Sequence, residues 1–171
     1  TIEEATRKYS GQVIRLSLLS AQYKQPLDWN NNLLIEQSKT LDKWYTMYSS
    51  EVSKKIPECF NDLLDDMNTP LYISKLHEMF SQAQKGDSEK KKEFNKACRL
   101  IGLFYETNEK RAEYKKSKVK ISEDIILNKI KDRDDAKKKG DYKLADKIRD
   151  DLSKEGIDIK DEKGKTTWNY K

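Results

Sequence analysis

The segment Tyr142–Ser153 carries an aromatic ring, a carboxylate and a guanidinium at spacings that bring them to one side of a helix. At about 100° per residue, Tyr142, Asp146, Arg149 and Ser153 fall in one stripe. Leu144, Ala145, Ile148 and Leu152 fall in another, roughly 115° away by the same wheel geometry. The apolar stripe must pack inward. The polar stripe holds the groups that read splayed-out RNA bases: a ring to stack on, an acceptor for an exocyclic amine and a cation for phosphate. An ordinary exposed face with a partly buried tyrosine is the other reading of the same residues.

Other chemistry finds little support. There is no phosphate-cradling glycine loop and no nucleophile beside a plausible base. Asp65 and Asp66 are adjacent, so on a helix they point about 100° apart and read as a solvated pair. Cys59 and Cys98 stand 39 positions apart with a single histidine, His77, which is no zinc spacing. Cys98, among Ala97, Leu100 and Ile101, reads as a small core residue, and His77, between Leu76 and Met79, as a partly buried structural one. Two cysteines without a framework suit a reducing cytosol. No catalytic residue, metal ligand or cofactor site is expected in the chain.

The elements that would position the polar stripe are helical. Among 171 residues, 38% are charged and 35% hydrophobic, with only 6 Gly and 3 Pro, which favours long, thin, well-solvated helices. The net charge of +5 permits RNA or an acidic partner without demanding either. No apolar run approaches membrane-spanning length and there is no signal peptide. The chain opens at Thr1, with Glu4 at capping-box spacing, as a fragment beginning inside a fold would.

Periodicity predicts a short helix over 2–9, a more apolar one from Val13 to about Tyr23 broken by Pro26, and a third capped at Asn30–Asn32 with Leu34, Leu41, Trp44, Tyr45 and Tyr48 as its stripe. Pro57 precedes a helix with Phe60, Leu63, Leu64 and Met67. Thr69 is the expected N-cap, and Pro70 the first residue, of a helix burying Ile73, Leu76, Phe80 and Ala83. After a turn at Gly86–Ser88, Phe94, Ala97, Cys98, Ile101 and Phe104 recur at helical steps. Residues 107–120 are nearly all polar and read as a linker or frayed helix end. A helix over 122–139 with Ile125, Ile126 and Ile130 inward follows. Asp141 then caps 142–155, Gly156 ends it, and Ile157–Ile159 and Thr166–Trp168 flank a turn at Gly164 as a small hairpin. The fold class expected is mainly α: N-terminal helices and an antiparallel helical bundle, then a small C-terminal α+β module of two helices and a β-hairpin.

Residues 15–29, residues 66–70 and the run from Asp141 to Trp168 are three separated motifs that, in this order, resemble segments of the cysteinyl-tRNA synthetases. Residues 15–29, RLSLLSAQYKQPLDW, resemble the family's "LLSAHYR" and "PLDW" segment, with Gln22 at the common histidine. Asp66-Met67-Asn68-Thr69-Pro70 resembles its "DFNTP" element. Asp141, Ala145-Asp146, Ile148-Arg149-Asp150, Gly156-Ile157 and Thr166-Thr167-Trp168 resemble its last module. The likeness covers essentially the whole chain.

The resemblance implies a class I synthetase that activates cysteine with ATP, using magnesium and a thiol-recognising zinc. The "HIGH" and "KMSKS" motifs of that chemistry are not in this chain, which is expected to be inactive alone. It implies a stem-contact segment over 1–29, a tRNA-binding helical bundle over 30–117 and an anticodon module over 118–171. The family's anticodon-binding Arg, aromatic and two Asp residues are carried by the resemblance onto Lys137, Tyr142, Asp146 and Asp161. Lys137 keeps the charge of the usual Arg but not its planar fork, which points to a phosphate contact there. Arg133 and Arg149 complete the expected RNA-binding set. Trp168 is expected to anchor the small module's core. The implied partners are a cysteine tRNA with a GCA anticodon and the catalytic domain of the same cytoplasmic, monomeric enzyme, with no membrane. Two other readings are a helical protein-interaction module without an RNA role, and a fragment of the related ligase that joins cysteine to an amino sugar in mycothiol synthesis.

Overall fold

The computed structural model describes residues 1–162 and 165–171, Lys165 by its backbone alone. The turn expected at Gly164 lies outside the described residues. The chain is mainly helical, with a C-terminal antiparallel hairpin, and divides into two compact units, Thr1–Asn108 and Glu109–Lys171.

The first unit holds α1 (Ile2–Lys8), α2 (Gly11–Leu19), α3 (Asn31–Tyr45), α4 (Phe60–Leu64), α5 (Thr69–Ala83) and α6 (Ser88–Leu100). Thr1 and Glu4 close a capping box on α1. Ser10, Asn30 and Asp87 cap α2, α3 and α6 through side-chain oxygens on free helix N–H groups. One apolar cluster runs through Val13, Leu16, Leu41, Trp44, Leu76, Phe80, Phe94 and Phe104.

Four details depart from the periodicity. α2 stops at Leu19, well before Pro26, because the Ser20 hydroxyl donates to Ser17 O at 2.7 Å instead of continuing the ladder. α4 has five residues, and Leu64 and Met67 are exposed. Asp66 and Met67 take left-handed backbone, φ +52° and +53°, so no helix reaches Met67. Asn68, not Thr69, caps α5: its Oδ1 accepts from Leu71 N at 3.2 Å, while the Thr69 hydroxyl donates to Ala21 O.

Gln12 was not expected in the core, yet it is fully buried. Its Nε2 donates to Tyr45 Oη at 2.9 Å and Glu106 Oε2 at 3.0 Å, and its Oε1 accepts from Phe104 N at 2.8 Å. The amide thereby holds Phe104, itself in left-handed backbone at φ +58°, against the aromatic rings of Tyr45 and Phe94.

The second unit holds α7 (Asn108–Lys118, whose first residue is the boundary), α8 (Glu123–Lys138), α9 (Tyr142–Lys154), β1 (Ile157–Glu162) and β2 (Lys165–Tyr170). The two helices and hairpin expected over 118–171 are α8, α9, β1 and β2, and α7 precedes them in the same unit. Residues 108–118 form a regular helix where a linker or frayed helix end was expected, since Glu, Lys, Arg and Ala are good helix formers and three lysines in the last turn face the negative end of its dipole. Ser122 and Asp141 cap α8 and α9, and Gly140 and Gly156, at φ +76° and +86°, end the helices before the next turn. Ile126, Ile130, Leu152, Ile157 and Ile159 form the core, with Ile148 and Trp168 packed against it. Ile125 is exposed, being about 100° from Ile126 on the wheel, and Leu144 lies exposed at the edge of its stripe.

Candidate nucleic-acid interface

On α8, Ile126, Ile130, Arg133 and Lys137 follow one another at four-, three- and four-residue steps, so an apolar stripe turns cationic toward the helix end. On β1, Ile157, Ile159 and Asp161 share one face, so an apolar strand face turns acidic at the same end. Apolar residues of both elements meet in the core, and the charges meet beyond it.

Arg133, whose side chain is 3% exposed, forks onto Asp161 with Nη1–Oδ1 at 3.1 Å and Nη2–Oδ2 at 2.8 Å. Lys137 Nζ reaches Oδ2 at 2.7 Å. Thr166, directly opposite Asp161 in the hairpin, lies with its hydroxyl 3.0 Å from both Asp161 Oδ1 and Asp134 Oδ1. The bonds from Arg133, then those from Lys137, hold the Asp161 carboxyl well below the usual carboxylate range. In turn Asp161, with Asp134 and Asp146 acting through their charge, raises the Arg133 guanidinium further above its ordinary value.

The predicted residues therefore separate into two groups. Arg133, Lys137 and Asp161 form one network, with Asp146 close enough for its charge to act on Arg133. Tyr142, 67% exposed, Asp146 and Arg149 line the outer face of α9. Ser153, on the same stripe, is half-buried and takes the Lys171 ammonium on its hydroxyl and carbonyl oxygens. Trp168 is half-buried against the isoleucine core and meets Tyr170 edge-on, ring centroids 5.1 Å apart. Thr166 and Asp134 were not anticipated. The facing of Asp161 and Thr166 in the hairpin is the signal that would have found Thr166.

Charge is divided unevenly. Thr1–Asn108 has 15 basic and 15 acidic residues, Glu109–Lys171 has 20 and 15, so the whole excess of +5 lies in the second unit.

The first unit brings two of the motifs together. Asp66 accepts from Tyr23 Oη at 2.9 Å, Lys24 Nζ at 2.7 Å and Gln22 Nε2 at 3.3 Å. Asp66 is exposed, as is Asp65, but it also ties down residues 22–24, and its hydrogen bonds from Lys24 and Tyr23 hold its carboxyl below the ordinary range. Cys59 and Cys98 are free and buried, and burial pushes both thiols up. His77 packs its ring 5.0 Å from that of Trp44, and burial, then the charge of Lys43, lowers its imidazole. Among the described residues no group of three or more His, Cys, Asp or Glu is placed to hold a metal ion, so these residues do not fit the zinc the resemblance implies. Among them, no helix is long and apolar enough to cross a membrane.

No protein-family model matches the chain. Curated proteins do. A cysteine–tRNA ligase of Pelagibacter ubique is 44% identical over 99% of this chain and 38% of its own length. The ligase of Afipia carboxidovorans is 34% identical over 98% of the chain and 36% of its own. That of Wolbachia pipientis wMel is 38% identical over 92% and 36%. The chain is therefore homologous to a portion of an aminoacyl-tRNA synthetase, a protein of translation. The particular family is the cysteine–tRNA ligases, to which it is homologous over nearly its whole length while spanning a little over a third of theirs.

Proposed function

We propose that this chain is the tRNA-binding part of a cysteine–tRNA ligase, and that residues 109–171 recognise the GCA anticodon of a cysteine tRNA. The observation that carries the reading is the exposed Tyr142–Asp146–Arg149 stripe, in the unit that holds the whole positive excess of a chain homologous to these ligases. In this reading Tyr142 stacks on a base, Asp146 and Asp161 accept from base amines, and Arg149 and Lys137 meet phosphates. Residues 1–29 and the bundle after them contact the stem. ATP, magnesium and zinc act in the catalytic part of the whole monomeric, cytoplasmic ligase, and this chain alone does not activate cysteine. The names of the relatives favour this reading over the amino-sugar ligase.

Titration of the chain with a cysteine tRNA transcript, and with the same transcript carrying a replaced anticodon, tests the reading. Tyr142→Ala is expected to weaken cognate binding by about 1–3 kcal/mol, and Asp146→Ala to reduce anticodon preference by a similar order. Equal affinity for the two transcripts would sink the base-reading role. No binding at low salt would favour a protein-interaction module instead.

A further inference from the structure

A carboxylate offers about four acceptor positions, two on each oxygen. Three of those of Asp161 are taken by cationic donors, Arg133 Nη1 on Oδ1 at 3.1 Å, and Arg133 Nη2 and Lys137 Nζ on Oδ2 at 2.8 and 2.7 Å, while the fourth faces Thr166 Oγ1 at 3.0 Å. Beyond the position shared with Thr166, a base amine can reach Asp161 only by displacing Arg133 or Lys137.

The donors differ in how readily they leave. Arg133 is buried and bidentate, and without Asp161 its nearest carboxylate oxygen is Asp134 Oδ1 at 3.7 Å. Its Nε already lacks a hydrogen-bond partner among the described residues, so a displaced guanidinium would be a largely unsatisfied buried cation. Thr166 has a single proton between two carboxylates. Lys137 makes one bond from a side chain that is 35% exposed, and water can take over its ammonium at little cost. Asp161 itself is 43% exposed, so solvent reaches its side chain.

We infer that Arg133 is a positioning residue that fixes Asp161 as a base acceptor, and that Lys137 is the exchangeable partner, leaving Asp161 for an RNA phosphate when RNA binds. This rests on the reading of the second unit as an anticodon binder. Arg133 then touches no RNA and acts through Asp161 alone. The two cations on one carboxylate have opposite duties, one holding its plane and the other holding its place.

The test compares wild type, Arg133→Met, Arg133→Lys, Lys137→Met, Asp161→Asn and the Arg133→Met/Asp161→Asn double variant. Each full chain is titrated with the cysteine tRNA transcript and its anticodon-replaced counterpart over a range of salt, with circular dichroism and thermal unfolding to follow the fold. Arg133→Met is expected to lose about tenfold or more of anticodon preference, with Arg133→Lys in between. In the Asp161→Asn background Arg133→Met should add nothing further to the loss of preference. Lys137→Met should keep the preference within about threefold and flatten the dependence of log affinity on log salt by about 0.7–0.9, one phosphate contact.

Equal weakening of both transcripts by Arg133→Met, or additive losses in the double variant, would overturn the positioning role. Loss of preference in Lys137→Met as complete as in Asp161→Asn would overturn the exchange. If Arg133→Met does not fold, Arg133→Lys decides: unchanged preference overturns the role, and a partial loss absent in the Asp161→Asn background supports it. Wild type binding both transcripts alike rejects the anticodon reading and this inference with it, whereas a wild-type preference that survives the Arg133 variants rejects this inference alone.

Discussion

Asp161 shares its strand face with Ile157 and Ile159, yet its carboxylate ends among Arg133, Lys137 and Thr166, so its ionised form is tied to the folded state. The unfolded chain returns it to an aspartate value of about 3.9. A carboxyl depressed in the fold contributes stability above that value and loses it as pH falls below it. Wild type should therefore lose stability more steeply than Asp161→Asn between about pH 5 and pH 3, by on the order of 1 kcal/mol once solvent screening of the half-exposed group is allowed for. Urea midpoints across that range measure it, and parallel curves for the two chains would refute it. The helical wheel was enough to put Tyr142, Asp146 and Arg149 on one exposed stripe, because that pattern is local. It could not bring Arg133 to Asp161, which depends on how the hairpin folds back beside α8; Lys137 and Asp161 came from family likeness instead.

Helix capping and periodicity made most elements legible: Thr1, Asn30 and Asp141 stand where the structure uses them. The misses have local causes. The polar stretch 107–120 lacks an apolar stripe, so its helix showed only in propensity. Gln12 looked like any polar residue at the start of an apolar helix, and nothing local reveals that Phe104 N and Glu106, over ninety residues away, converge on its amide. That convergence ties α2 and α3 to the segment after α6. Gln12→Leu keeps the bulk but strips the buried Phe104 N–H of its acceptor and takes one partner each from Tyr45 and Glu106, and a buried N–H left unmatched costs about 1–3 kcal/mol. A fall in the urea midpoint of that order is expected for this variant, and a change below about 0.5 kcal/mol, the scale of a surface substitution, would show that water replaces the amide.

At the scale of the whole chain, charge as well as packing separates the two units: one is balanced, the other carries the full excess. Each has its own apolar core. Produced separately, residues 109–171 should retain most of the salt-sensitive part of tRNA binding, and residues 1–108 little of it, because counterion release follows the cations that meet phosphate. Filter binding at two salt concentrations checks this, and an equal salt dependence of both pieces would refute it. The buried cysteines of the first unit have a consequence for such experiments. With both thiols enclosed and held above their usual range, little thiolate is present to react with an alkylating dye. A cysteine placed at exposed Lys139, beside the proposed interface, would then be a single addressable handle for fluorescence, with the native pair left in place.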